Sequence, residues 1–190
     1  QHLHERGYAV QGTVRSIPKY AGLPEFASFK LFEADLLTKG SFEAAFQDCH
    51  VVMHTASPFF RQVNDPVKDL VEPAQRGTMN VLHTAIAAPL VDTVIITSST
   101  AAVGPMTLPE NRKASDEPLT EDDWTTDSTI DNAPYRLSKL LAEQSAWALV
   151  ESLPDQVETT AGHTKPKIKV AVMNPSFVLG SLAISRAVRT

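Results

Sequence analysis

Two residues able to move a proton stand four positions apart, Tyr135 and Lys139. On a helix that spacing puts both side chains on one face, one turn apart. An ammonium fixed beside a phenol favours the phenolate, which suits a tyrosine to general acid work near neutral pH. Alone, Tyr-x-x-x-Lys is also what two polar residues on a surface helix look like, so its weight depends on its surroundings. Ser98 and Ser99 close an apolar, β-branched run, with Ser99 standing 36 residues before Tyr135. A hydroxyl there could hold a substrate oxygen beside the phenol, although for Ser98 a plain strand-end turn is the simpler reading.

For these groups to meet, the chain must bring a strand end and a helix start together. Short β-branched runs alternate with helix-period segments, the pattern of βαβ units and a parallel sheet, an α/β fold. Strands are predicted over 8–15, 29–34, 51–55, 91–97 and 168–174. Each ends in a polar or turn-forming cluster: Arg15-Ser16, Asp35-Leu36, Ala56-Ser57-Pro58, Ser98-Ser99 and Pro175. Parallel strands line such clusters along the carboxyl edge, where open α/β sheets bind ligands. Helices are predicted over 41–47, 66–87 and 134–153, with Pro73 expected to kink the second. Pro134 opens the third, Pro154 closes it, and Leu137, Leu140, Leu141 and Leu149 recur on a helical period. Residues 1–6 read as the last turns of a helix stopped by Gly7. The acidic, Thr- and Pro-rich stretch 105–133 is long for a connection, and 155–166 reads as a mobile surface excursion.

Composition narrows the function classes. The 190 residues, 43% apolar and 21% charged, suffice for one domain with a real core. Seventeen Lys and Arg against 22 Asp and Glu give a net charge of −5, which argues against nucleic acid as a partner. The single cysteine, Cys49, forms no internal disulfide and reads as a small core residue, in keeping with a reducing, cytoplasmic setting. No apolar run approaches the roughly 20 residues of a bilayer span, so no membrane association is expected. His2, His4, His50, His83 and His163 show no ligand spacing, and no metal is expected. His54, inside a strand, reads as a packed core histidine rather than a catalytic base.

Five segments carry a family likeness: HTASP (54–58), VEPAQRGTMNVL (71–82), TSSTAAV (97–103), YRLSK (135–139) and NPSFVLG (174–180). Together they resemble the extended branch of the short-chain dehydrogenase/reductase superfamily, the NAD-dependent epimerase/dehydratase family. Within it the likeness is to dihydroflavonol reductases, cinnamoyl-CoA reductases and yeast methylglyoxal and ketone reductases. The likeness runs from Gln1 to about Gly180 and implies a Rossmann-type, doubly wound parallel sheet binding NADP(H). It implies that Ser99 polarises a carbonyl, Tyr135 donates the proton, and Lys139 binds the nicotinamide ribose and tunes the tyrosine. Asn80 falls where relatives place an asparagine that supports a water and the lysine; the other reading is an amide satisfying backbone near the Pro73 bend.

Cofactor choice turns on the end of the 8–15 strand. A carboxylate there binds a ribose 2′-hydroxyl, whereas a cation accommodates a 2′-phosphate. This chain has Arg15, able to grip phosphate with two parallel hydrogen bonds, and Lys19 adds a point charge. The run Arg15-Ser16-Ile17-Pro18-Lys19 resembles that of NADPH-preferring relatives, with plain surface charge as the other reading. By the same likeness Asp35 and Leu36 contact adenine, and Thr55, Ala56 and Ser57 follow the cofactor. The segment 175–178, with Pro175 and Val178, lies near the nicotinamide. Phe59 and Phe60 are either an apolar wall for the substrate or core filler.

The resulting expectation is an NADPH-dependent reductase of an aldehyde or ketone, acting on a small carbonyl substrate as a monomer or homodimer. Two other readings stand beside it: an epimerase, dehydratase or sterol-type dehydrogenase, and a non-catalytic cofactor-sensing or scaffold protein. The departure from the family lies at the front, where relatives carry a strand and a Gly-rich turn whose amides hold the pyrophosphate. Residues 1–190 are therefore expected to be a partial NADP(H)-binding domain, truncated of its first strand and of a substrate lobe, and inactive on its own.

Overall fold

A computed structural model describes residues 2–20, 23, 26–27, 29–58, 63–105 and 118–179. In chain order the elements are α1 (His2–Glu5), β1 (Gln11–Val14), β2 (Lys30–Glu33), α2 (Glu43–Phe46), β3 (Val51–His54), α3 (Glu72–Ala87) and β4 (Thr93–Thr97). They continue with α4 (Thr100–Val103), α5 (Pro134–Ser152), β5 (Gln156–Glu158), β6 (Thr164–Pro166) and β7 (Lys169–Met173). β1 and β2 form one parallel ladder, with Gln11 opposite Lys30. β3, β4 and β7 form a second, with Val51 opposite Thr93 and Thr93 opposite Lys169. Among the described residues no ladder hydrogen bond joins the two. Within each, the carboxyl ends of the strands lie side by side, as the sequence predicts.

All five predicted strands are present but shorter than predicted. The clearest case is the first, predicted from Tyr8 and observed from Gln11. Gly7 turns the chain at φ +84°, a conformation that favours glycine, and the Tyr8 N–H bonds back to the Leu3 carbonyl at 3.1 Å. Those bonds close α1 and delay the strand. Pro73 does not simply kink its helix. The preceding turn, Val67–Val71, is π-helical, and α3 begins at Glu72 with the proline in its first turn, where a missing N–H costs nothing.

Alternation along the strands decides which side is core. Val52, Val94 and Ile96 pack against Val81, Leu82 and Ala85 of α3 and Ala146 of α5. Burying each Val, Leu or Ile among them contributes about 2 kcal/mol. Val51 and Met53 point to the other face and are half exposed. The first ladder is joined to the rest through α2, the loop after β2, and α3. At Gly77 the Leu36 side chain lies 3.1 Å from where a Cβ would stand, so any side chain there would push the loop a few tenths of an ångström off α3. Asn80 Nδ2 donates to the Leu36 and Thr38 carbonyls, both at 3.0 Å.

The 155–166 segment is not the loose excursion predicted from its composition. It forms the antiparallel β5–β6 hairpin, with Val157 opposite Lys165. Lys165 Nζ is buried and donates to the carbonyls of Ala85 at 3.0 Å, Ala88 at 2.6 Å, and Val91. The Thr160 N–H adds a bond to Ala87 O at 2.9 Å. A cation thus satisfies carbonyls left open at the C-terminus of α3, where the helix dipole favours positive charge. No described helix is long and apolar enough to cross a membrane.

Candidate active site

The rim at the end of β4 is built from two serines facing different ways. Ser98 continues the β4–β7 ladder, its N–H on Met173 O at 2.8 Å. Its buried Oγ has no hydrogen-bond partner among the described residues, which leaves it on the interior side. Ser99 has extended backbone and caps α4, its Oγ accepting from the Ala101 N–H at 3.2 Å. The same hydroxyl donates to Pro175 O across 3.4 Å, a long bond readily exchanged for one to another oxygen.

On α5, which packs against α4, Tyr135 and Lys139 occupy the first two turns, started by Pro134. Lys139 Nζ lies 5.8 Å from the centre of the Tyr135 ring, within cation–π reach. The lysine is buried, and desolvation lowers its pKa from the ordinary value while the charge of Glu143 opposes that shift. His54, at the end of β3, is also buried, with Nε2 3.4 Å from Thr78 Oγ1. Burial, helped by the Lys139 charge, holds its pKa down to about 4, so it stays neutral. His54 is thus a packed core residue, as its place in a strand predicts.

The other expected residues divide by ladder. At the end of β1, Arg15 is exposed, and Lys19 is exposed at the close of the 3-10 turn Ile17–Lys19. Glu33 Oε1 accepts from the Ile17 N–H at 2.9 Å and pins that turn to the end of β2. Asp35 Oδ1 accepts from the Leu37 N–H at 2.8 Å, and Leu36 leans on Gly77. Thr55 and Ala56 are exposed and Ser57 half-buried after β3. The Pro175 carbonyl accepts from the Thr100 N–H at 3.1 Å. Val178 is 85% exposed. Phe59 and Phe60 lie outside the described residues. The amide hydrogens of Asn80 go to the loop after β2, so it does satisfy backbone, though of that loop and not of the bend.

Three residues around the site went unassigned in the sequence. Asn174 Nδ2 donates both to Ser99 O at 3.2 Å and to Glu143 Oε2 at 2.9 Å. Glu143 stands four residues after Lys139, so Tyr135, Lys139 and Glu143 repeat at one helical spacing, a signal that was there to read. Arg136 Nε donates to Ser128 Oγ at 3.2 Å and its Nη2 to the Gly104 carbonyl, tying the end of α4 to the following loop. Beside them a cleft of about 550 Å³ is lined by Thr100, Val103, Gly104, Leu119, Arg136 and Asn174. The phenol facing a buried ammonium is a proton donor, and the cleft beside Arg136 and Asn174 has room for a small polar molecule.

Comparison with known proteins identifies the family. Residues 1–176 match the NAD dependent epimerase/dehydratase family. The chain is 35% identical to cinnamoyl-CoA reductase CAD2 of Medicago truncatula over 95% of its own length and 53% of the relative's. It is 32% identical to anthocyanidin reductase of Arabidopsis thaliana, covering 97% of this chain and 53% of that one. Among solved structures, yeast methylglyoxal/isovaleraldehyde reductase Gre2 complexed with NADPH superposes with a TM-score of 0.76 at 29% identity, over 96% of this chain and 55% of that one. The chain therefore spans about half the length of the curated relatives it matches. With its Rossmann-like parallel sheet and a match reaching from the first residue to just past the end of β7, the chain belongs to the NAD dependent epimerase/dehydratase family.

Proposed function

We propose that the polypeptide carrying this chain reduces an aldehyde or ketone with NADPH, using Ser99, Tyr135 and Lys139. The observation that carries the reading is the buried Lys139 ammonium 5.8 Å from the Tyr135 ring, on a helix packed against α4, which Ser99 caps. The Lys139 ammonium faces the Tyr135 ring, and Tyr135 delivers its phenolic proton to the carbonyl oxygen. Ser99 exchanges its long bond to Pro175 O for one to the same oxygen and so orients it. The chain's residues suit a phosphorylated dinucleotide: Arg15 and Lys19 are exposed cations after β1 for a 2′-phosphate, and Asp35, Leu36, Thr55, Ala56 and Ser57 follow neighbouring strands. Lys139 would meet the nicotinamide ribose, with Pro175 and Val178 alongside. When bound, NADPH supplies the hydride. The printed names of the relatives, reductases and one NADPH complex among them, favour the same chemistry.

For the 190 residues by themselves we infer a partial cofactor domain, with weak NADPH binding and no turnover. They contain no Gly-rich turn opening a helix to hold a pyrophosphate. The test is NADPH consumption by the polypeptide carrying this chain, with a panel of aldehydes and ketones. Tyr135→Phe should lower kcat by about 10²–10⁴-fold with little change in NADPH affinity. Turnover retained in that variant refutes the assignment. An absence of net NADPH consumption by the unsubstituted protein points instead to an epimerase or dehydratase, in which the cofactor is regenerated.

A further inference from the structure

The side-chain amide of Asn174 has two hydrogens, and the structure uses both. One goes to the Ser99 carbonyl at 3.2 Å, where β4 turns into α4. The other goes to Glu143 Oε2 at 2.9 Å, on the third turn of α5. Glu143 is buried, and a buried carboxylate needs hydrogen-bond or charge partners to be tolerated. It sits one turn beyond Lys139, yet among the described residues the two form no ion pair. The carboxylate's short contact is spent on Asn174, and the ammonium stays on the Tyr135 side.

We propose that Glu143 is a positioning residue: through the Asn174 amide it fixes the Ser99 backbone against α5 and so sets how far the serine stands from the Tyr135–Lys139 face of the helix. The consequence for chemistry rests on the reductase reading of that site; the linkage itself does not. Two neighbouring contacts share the load, Ser98 N–H on Met173 O and Thr100 N–H on Pro175 O, which pair the end of β4 with the residues around Asn174. Glu143 also supplies the negative charge that opposes the desolvation of Lys139. The other groups facing that lysine are His54 from β3, which is neutral, and Tyr135 from its own helix.

Three variants separate these roles: Asn174→Ala cuts the linkage, Glu143→Leu removes linkage and charge together, and Glu143→Gln keeps an acceptor for Asn174 but removes the charge. The first readout needs no turnover. Amide hydrogen exchange at Ser98 and Thr100 should accelerate roughly tenfold in Asn174→Ala and Glu143→Leu and stay near the wild-type rate in Glu143→Gln. The second is the titration of Lys139, followed by NMR with ¹³C-labelled lysine and assigned with Lys139→Arg. In Glu143→Gln its deprotonation should move to lower pH, since burial is then unopposed. In the polypeptide carrying this chain, Asn174→Ala should lower kcat by about tenfold to a hundredfold while KM stays nearly constant, as expected when a reacting group is misplaced. Should Glu143→Leu fail to fold, Asn174→Ala carries the exchange test alone. Wild-type exchange rates in Asn174→Ala overturn the proposal. Accelerated exchange in a protein whose wild type reduces no carbonyl upholds it and overturns the reductase reading instead.

Discussion

His54 makes folding stability depend on pH in a window where few other groups act. Its native pKa is about 4 against an ordinary 6.5, because a protonated ring would be charged, buried and close to the Lys139 ammonium. The unfolded chain therefore binds a proton that the native state refuses. Stability is complete above pH 6.5, falls as pH drops below it, and reaches its full loss near pH 4. A displacement of about 2.5 units corresponds to about 3 kcal/mol across the whole window, and about 2 kcal/mol between neutral pH and about pH 5. Urea unfolding followed by the fluorescence of Trp124 and Trp147 measures this directly. The control is His54→Gln, which keeps a polar group facing Thr78 and cannot titrate. Its stability should change by less than about 1 kcal/mol over the same interval, while the parent loses about twice that or more. Equal losses in the two proteins, or a parent that holds its stability at about pH 5, would refute the argument that the buried imidazole is kept neutral.

Two further perturbations follow from named contacts. Lys165→Met keeps much of the buried side chain but leaves the carbonyls of Ala85, Ala88 and Val91 without their cation, and should cost about 2–3 kcal/mol, read as a lower melting temperature. Ser99→Ala removes the cap of α4 and should cost about 1 kcal/mol in stability, while lowering kcat by far more than that loss of folded protein explains.

What the sequence made legible follows from what repeats locally. The strands were visible because Val52, Val94, Ile96 and their neighbours are apolar and β-branched, and α5 because Pro134 and Pro154 bracket a helical period. That Ser99 closes β4 and that Tyr135 and Lys139 share the first turns of α5 was legible once a parallel sheet was inferred, since its topology sends strand ends to one rim. The hairpin over β5 and β6 was not. Its stability comes from a lysine reaching carbonyls some eighty positions upstream, which no local pattern announces. The π-helical turn before Pro73 was reduced to a kink, because sequence registers the missing N–H but not how the chain absorbs it. The links made by Asn174 were not legible either, as its two acceptors come from elements 31 and 75 residues away.

Among the described residues no ladder joins β1–β2 to β3–β4–β7, and this has a dynamic consequence. What couples the two halves is side-chain packing around Leu36 and Gly77, the Asn80 amide, and α2, without the continuous backbone bonding that makes a sheet melt as one body. Packing alone is a weaker tie than a ladder, so amide exchange in β1–β2 is expected to run faster than in β3–β4–β7. Arg15, Lys19, Asp35 and Leu36 ride on or beside the smaller ladder, whereas Tyr135 and Lys139 belong to α5. A dinucleotide held at both places would staple the halves together, and its affinity would carry the cost of quieting the looser half.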